Sequence, residues 1–131
     1  MPTRLIMALT LALTAHFAHA APVWKKSGAV SYLCGGVGQE EFSALNALKS
    51  SSNLAVLLTA GDGGAYISDV LLTLSGAQMP VPIIIGSAGP LCVFRMPSGN
   101  YDLQAEYGGA IKSARVSVGS KVTSTQIRFA K

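Results

Sequence analysis

The chain has 131 residues, 50% of them hydrophobic and 12% charged, with a formal net charge of +4. Its basic residues are scattered, with Lys25 and Lys26 as an adjacent pair, so the charge favours solubility over nucleic-acid binding. The two histidines, His16 and His19, lie close to the start of the chain. We therefore expect no histidine catalysis, no imidazole metal site and no cofactor in the body of the protein.

Residues 1–20 have the pattern of a signal peptide. A short positive segment ending at Arg4 precedes an apolar run over residues 5–13, and Ala18-His19-Ala20 is a small-residue cleavage site. The apolar run is too short to span a bilayer well. We expect cleavage after Ala20, a periplasmic or secreted location, no stable membrane insertion after cleavage, and one domain over residues 21–131.

The first predicted elements are a tail over residues 21–26, a strand over 27–33 and a helix over 39–49. Phe42, Leu45 and Leu48 recur at helical spacing, and we expect their stripe to pack on an edge or end of a sheet. The glycines at 35, 36 and 38 could suggest a phosphate loop. Glu40 and Glu41 in the first helical turn would repel phosphate, so the glycines favour a tight connection.

Short strands separated by turns follow the helix. We predict strands over residues 54–60, 65–75 and 83–85, with a turn at Gly61–Gly64 and an edge position at Pro80–Pro82, where prolines cannot complete a ladder. Near the end of the chain, residues 112–118 and 122–129 alternate like strands. This spacing favours a sandwich or barrel over βαβ units, and we expect a Greek-key sandwich of about seven strands with one short helix.

The stretch over residues 91–109 predicts a hairpin of two antiparallel strands. Its first arm, LCVFRM, is apolar on both faces, which predicts burial on both sides. Its second arm alternates from Tyr101 to Tyr107, which predicts one face on a core and one in water. Pro97, Gly99 and Tyr101 between the arms are spaced as in a tyrosine corner, and the alternative is that Tyr101 is only a half-buried core aromatic.

The same residues carry a family resemblance. The segment MPSGNYDLQA, residues 96–105, resembles the L-P-x-G-x-Y-x-L-x-A strand pair of carboxypeptidase regulatory-like domains, which are transthyretin-like β-sandwiches of secreted bacterial proteins. The segment CGGVGQEEFSALNAL, residues 34–48, is similar to small secreted members of that group. The resemblance covers residues 31–129 and implies a transthyretin-like sandwich, and it brings no catalytic residues.

Two cysteines, Cys34 and Cys92, remain after the signal segment. In an oxidising compartment they predict a structural disulfide. The alternative is a redox-active pair, which usually has the close C-x-x-C spacing that is absent here.

These features predict a non-enzymatic binding or structural accessory module of the bacterial envelope, whose partner is an unknown envelope protein or a glycan. Its contact surface would be an end loop or a sheet edge, and the candidates are Gly61–Gly64, Gly86–Pro90, Ser98–Asn100 and the edge at Pro80–Ile85. The alternative is a carbohydrate-binding module using exposed rings among Trp24, Tyr32, Tyr66 and Tyr107. A third hypothesis, glycoside cleavage by Asp69 with Asp102, requires the two carboxylates to lie close together.

Overall fold

A computed structural model describes residues 23–76 and 79–130. The predicted signal peptide, residues 1–20, lies outside this part of the chain. The described residues form ten strands, one α-helix and one 3₁₀ helix at Leu48–Ser51. In chain order the strands and helix are β1 Lys25–Ser27, β2 Val30–Gly35, α1 Gln39–Ala47, β3 Leu54–Ala60, β4 Ala65–Tyr66, β5 Leu71–Gly76, β6 Ile83–Gly86, β7 Leu91–Arg95, β8 Gly99–Tyr107, β9 Ala110–Val118 and β10 Thr123–Phe129.

The strands form two sheets. Sheet A has the order β1-β2-β7-β3-β10, with β4 as an extra short strand on β3, and sheet B has the order β6-β5-β8-β9. All pairs are antiparallel except β3 with β10, which run parallel with Thr123 opposite Leu54. The main core lies between the sheets, where alternate residues of both meet, including Leu58 and Phe94 of sheet A and Leu72 and Tyr101 of sheet B. The mainly β class with one short helix is therefore confirmed.

Helix α1 adds a third layer on the outer face of sheet A. The predicted stripe is correct, because Phe42, Leu45 and Leu48 join a second apolar cluster with Leu91 and Val93. Its predicted location is wrong, since the stripe packs across the face of the sheet and not at an edge or end. The reason is that β7 is apolar on both sides, so its outward residues also need a cover.

The predicted hairpin over residues 91–109 does not exist. Strand β7 pairs with β2 and β3 in sheet A, whereas β8 pairs with β5 and β9 in sheet B. The chain crosses from one sheet to the other at Pro97-Ser98. Both arms were correctly identified as strands with the predicted burial, but each finds its hydrogen-bond partners elsewhere along the chain.

The number of strands also differs from the predicted seven or so. The predicted strand over residues 65–75 divides into β4 in sheet A and β5 in sheet B, because the backbone turns at Asp69, whose φ is 59°. Strand β1 begins in the predicted tail at Lys25 and ends at Ser27, the first residue of the strand predicted over 27–33. It folds back on β2 through a turn at Gly28, whose φ of 59° suits glycine. Short pairings of this kind have no alternation long enough to be recognised in a sequence.

Candidate functional site

Part of the outer face of sheet A remains open beside the helix. A groove of about 270 Å³ runs there between the 3₁₀ helix and strand β10. Leu57 and Leu91 form part of its floor, and Lys49, Ser124 and Gln126 are among the polar residues on its sides. The groove exists because α1 covers β2 and β7 but leaves β10 and half of β3 without a second layer.

Tyr66 stands at the end of this open face. Strand β4 places it opposite Thr59, so the ring projects on the outer side of sheet A. The ring stacks on Phe42 with centroids 5.0 Å apart and planes within 11°, while 57% of Tyr66 stays exposed. Because Phe42 belongs to the apolar cluster beneath the helix, the stack restrains the exposed ring on one face.

Polar side chains lie beside Tyr66 in the same row of the sheet. Thr59, only 1% exposed, lies between Tyr66 on β4 and Arg128 on β10. The Gln126 side chain donates from Nε2 to Thr59 Oγ1 over 3.0 Å, and Arg128 Nη2 donates to Asp62 Oδ1 over 3.2 Å. We call these five residues, Tyr66, Thr59, Gln126, Arg128 and Asp62, the Tyr66 surface. It offers a ring, an amide and an ion pair on one rigid sheet.

The two predicted cysteines form a disulfide. Cys34 on β2 lies directly opposite Cys92 on β7, so the bond joins neighbouring strands of sheet A. Within the described residues no free cysteine remains. The bond therefore fastens the part of sheet A from which α1 departs.

The predicted corner residues form a structural contact. The Tyr101 hydroxyl donates to the Pro97 carbonyl oxygen over 2.6 Å, four residues upstream, which is the contact expected of a tyrosine corner. Gly99 between them begins β8. Tyr101 is buried, and this burial raises the pKa of its phenol above the ordinary value. The three residues hold the crossing between the sheets and expose no reactive group.

The predicted loops differ in accessibility. Gly61–Gly64 lies at the Tyr66 surface, since it contains Asp62 and the Gly61 amide donates to the Phe129 carbonyl. The segment Gly86–Pro90 is largely an internal connection, because Ser87 is 2% exposed and exchanges hydrogen bonds with Val70. Gly89 also passes against the backbone of Gly35, where a side chain has no room. The third loop, Ser98–Asn100, lies at the opposite end of the sandwich, beyond Met96.

Among the four candidate rings, Tyr66 is the exposed one. The others are half-buried and each contacts a neighbouring side chain: Trp24 lies under Arg95, Tyr32 lies by Phe94, and Tyr107 lies by Phe129. A flat ligand therefore has access to one aromatic platform in the described part of the protein.

The edge at Pro80–Ile85 leads into β6, which is an edge strand of sheet B as predicted. Its Ile84 is 66% exposed. Prolines at 80 and 82 precede the short strand, a common protection against unwanted strand pairing. This edge is consequently a weak candidate for binding a partner by strand pairing.

The acidic pair proposed for glycoside cleavage is not assembled. Asp69 precedes β5, whereas Asp102 lies opposite Ser75 near the other end of that strand, which separates the two by roughly 20 Å. Asp102 instead pairs with Arg115 over 3.2 Å. Two carboxylates that flank a glycosidic bond must lie within about 10 Å, so these two cannot act together.

Sequence reasoning identified Tyr66 as one of four rings but missed its neighbours. Gln126 and Arg128 lie on the same face as Tyr66, one strand beyond β3, only because β10 pairs in parallel with β3. The only local signal was the alternation of β10, which placed Ile127 and Phe129 inward and therefore these two outward. Phe42 was assigned correctly to the helix stripe, but its stack with Tyr66 was not expected.

Residues 23–76 and 79–130 contain no group of three or more His, Cys, Asp or Glu that could hold a metal ion. Over the same residues, no helix is both long and apolar enough to cross a membrane. Comparisons with protein-family models and with curated proteins find no match to this chain. The candidate site is therefore described by its own geometry, as an oriented aromatic ring with polar neighbours on the outer face of sheet A.

Proposed function

We propose that residues 21–131 form a single exported domain of the carboxypeptidase regulatory-like, transthyretin-like type, with Greek-key connections. In this proposal the domain is a non-enzymatic binding or structural accessory module of the bacterial envelope. The two-layered core and the contact between Tyr101 and Pro97 support the family assignment. They agree with the resemblance carried by residues 96–105.

The observation that carries the binding role is the Tyr66 surface. An exposed ring can usually turn freely, whereas the stack on Phe42 restrains this one. A ring held in place loses little conformational entropy when a partner contacts it, and this improves affinity. The scaffold beneath it is a sheet joined by a disulfide, which suits a surface that must keep its shape.

A periplasmic or secreted location is part of the same proposal. A disulfide between Cys34 and Cys92 persists in an oxidising compartment, and residues 1–20 have the pattern of an export signal. In the envelope, an accessory domain of this size would contact a protein or a glycan through one face. The Tyr66 surface is the face that we assign to this contact.

The proposal is tested by capture from a native envelope extract. The mature chain is immobilised as wild type, as Tyr66→Ser, and as Ile84→Ser, which removes an equally exposed apolar residue from the other sheet. We expect wild type and Ile84→Ser to retain the same component, protein or glycan, and Tyr66→Ser to lose it. Capture that is the same for all three proteins, or no capture by any, would contradict the proposal.

A further inference from the structure

The geometry points to an oligosaccharide as the ligand of the Tyr66 surface and the adjoining groove, an inference that rests on the binding role proposed above. The register makes the two features continuous. Ala55 lies opposite Ser124, Leu57 opposite Gln126, and Thr59 opposite Arg128 in successive outward rows of β3 and β10. These rows extend over roughly 13 Å along the strands, enough for a short oligosaccharide and more than one sugar ring needs.

The chemistry of this strip matches that of a sugar chain. A pyranose ring has apolar C–H faces and a rim of hydroxyl groups, so it needs a flat apolar partner and planar hydrogen-bonding groups beside it. Tyr66 supplies the exposed ring, and the groove beside it supplies the partly exposed side chain of Leu57. Gln126 uses one amide hydrogen on Thr59, so its carbonyl oxygen and second hydrogen are available to a ligand.

The charges favour hydroxyl groups over a phosphate or a nucleic acid as the recognised chemistry. Arg128 is compensated by Asp62, whose carboxylate accepts its hydrogen bond and would repel a phosphate. Lys49 is the one cation among the described residues that line the groove, too few for a polyanion. A carboxylate and a guanidinium held side by side can instead accept from and donate to neighbouring hydroxyl groups.

Sheet B provides the contrasting surface. Its outer face also carries a polar depression and an exposed ion pair, Arg115 with Asp102, at the same 3.2 Å separation. Among the described residues no aromatic ring lines this depression, which is lined by Thr73, Ser75, Gln104 and Ser113 among others. Each outer face therefore carries its own ion pair, and the ring of Tyr66 distinguishes sheet A from sheet B. Sheet B can therefore serve as the internal control.

The test titrates the mature protein with soluble oligosaccharides, using calorimetry and amide chemical shifts. The probes are cello- and chito-oligosaccharides and glycan strands released from peptidoglycan. We expect at least one probe to bind and to shift amides of β3, β4 and β10. Tyr66→Ala should weaken that binding about tenfold, which corresponds to the loss of one good aromatic contact. Tyr66→Phe keeps the ring and should bind within about threefold of wild type.

Arg128→Ala should weaken binding, whereas Arg115→Ala on sheet B should leave it unchanged. The unfolding midpoint of each variant in urea shows that it is folded. The inference is overturned if no probe binds wild type, or if binding survives Tyr66→Ala or shifts amides of sheet B instead. If no probe binds while an envelope protein is captured through Tyr66, the glycan assignment fails and the binding role remains. If both experiments are negative, both proposals fail.

Discussion

The two sheets of this sandwich are covered to different extents. Sheet A lies between sheet B and helix α1, so its central strand β7 is buried on both faces from Leu91 to Phe94. Sheet B has the core on one side and water on the other, and its strand β8 alternates between buried and exposed residues along most of its length. The disulfide and the Tyr66 surface both belong to sheet A.

The difference lies in the second face of each sheet: most of that of sheet A adds to the buried core, whereas that of sheet B contacts water. A solvated face needs polar residues, and sheet B supplies them with Thr73, Gln104 and Ser113. In sheet A, the helix instead places Phe42 against Tyr66, so the exposed ring has a packed partner on one face. The open part of sheet A is therefore bordered by a packed layer, whereas the outer face of sheet B has no such border in the described residues.

The largest effect is expected when a lysine is placed on the outer face of each sheet. Val93 points outward from sheet A but is 0% exposed under the helix, whereas Gln104 points outward from sheet B into water. Val93→Lys should lower the free energy of unfolding by about 4 kcal/mol, because it buries an unpaired charge. Gln104→Lys should change it by less than about 0.5 kcal/mol. Urea unfolding measures both, and equal effects would refute the layered description of sheet A.

The disulfide gives the second prediction, because it joins strands of sheet A and leaves sheet B uncrosslinked. The loop it closes spans 58 residues. Cys34→Ala with Cys92→Ala should lower the free energy of unfolding by about 2–4 kcal/mol, since the unfolded chain regains entropy. The reduced wild type serves as the control for lost packing and should lose a similar amount in urea unfolding. An unchanged midpoint in both would show that the bond adds no stability.

The crossing between the sheets gives the third prediction. Tyr101→Phe removes the donor to the Pro97 carbonyl and should cost about 1–2 kcal/mol. Burial raises the pKa of Tyr101 in the folded state, so the folded protein holds this proton more tightly than the unfolded chain does. Its contribution is therefore complete below the unfolded value of about 10 and is lost as the pH rises above it.

Unfolding measured in steps from neutral to alkaline pH tests this dependence. Wild type should lose more stability above about pH 10 than Tyr101→Phe, which has no phenol to ionise at this position. Parallel curves for the two proteins would show that the Tyr101 hydroxyl does not contribute to the pH dependence.

The smallest effect is expected for the two exposed ion pairs, one on each sheet. Arg115 with Asp102 and Arg128 with Asp62 are both well solvated. Water screens such pairs, so Arg115→Ala and Arg128→Ala should leave the unfolding midpoint unchanged within error. A marked loss of stability for Arg128→Ala alone would assign this pair a structural role and would sharpen the distinction between the sheets.

The burial of individual strands was readable in the sequence, whereas their partners were not. The apolar run of β7 and the alternation of β8 correctly predicted which faces are buried, since a strand presents alternate residues to opposite sides. The same residues could not reveal that β7 and β8 belong to different sheets. A hairpin and a crossing share the same local pattern, and only hydrogen bonds to β2, β3, β5 and β9 distinguish them.

The candidate site was predictable only in part for a related reason. Tyr66 was recognised as a possible platform for a sugar because an aromatic residue can be identified from the sequence without knowing its neighbours. Its neighbours Gln126 and Arg128 come from the last strand, far away along the chain. Their position on the same face as Tyr66 depends on the parallel pairing of β3 with β10, which local composition does not reveal.

The sequence by itself determined the mainly β class, the residues that form the apolar stripe of the helix, and the two cysteines available for a disulfide. These properties follow from the identity and spacing of residues that are near one another along the chain. Only the tertiary structure decided that the helix covers sheet A, that the chain crosses between sheets at Pro97, and that Tyr66 shares a surface with β10. These properties depend on which distant strands meet, and the choice among pairings is made by the packing of the whole core.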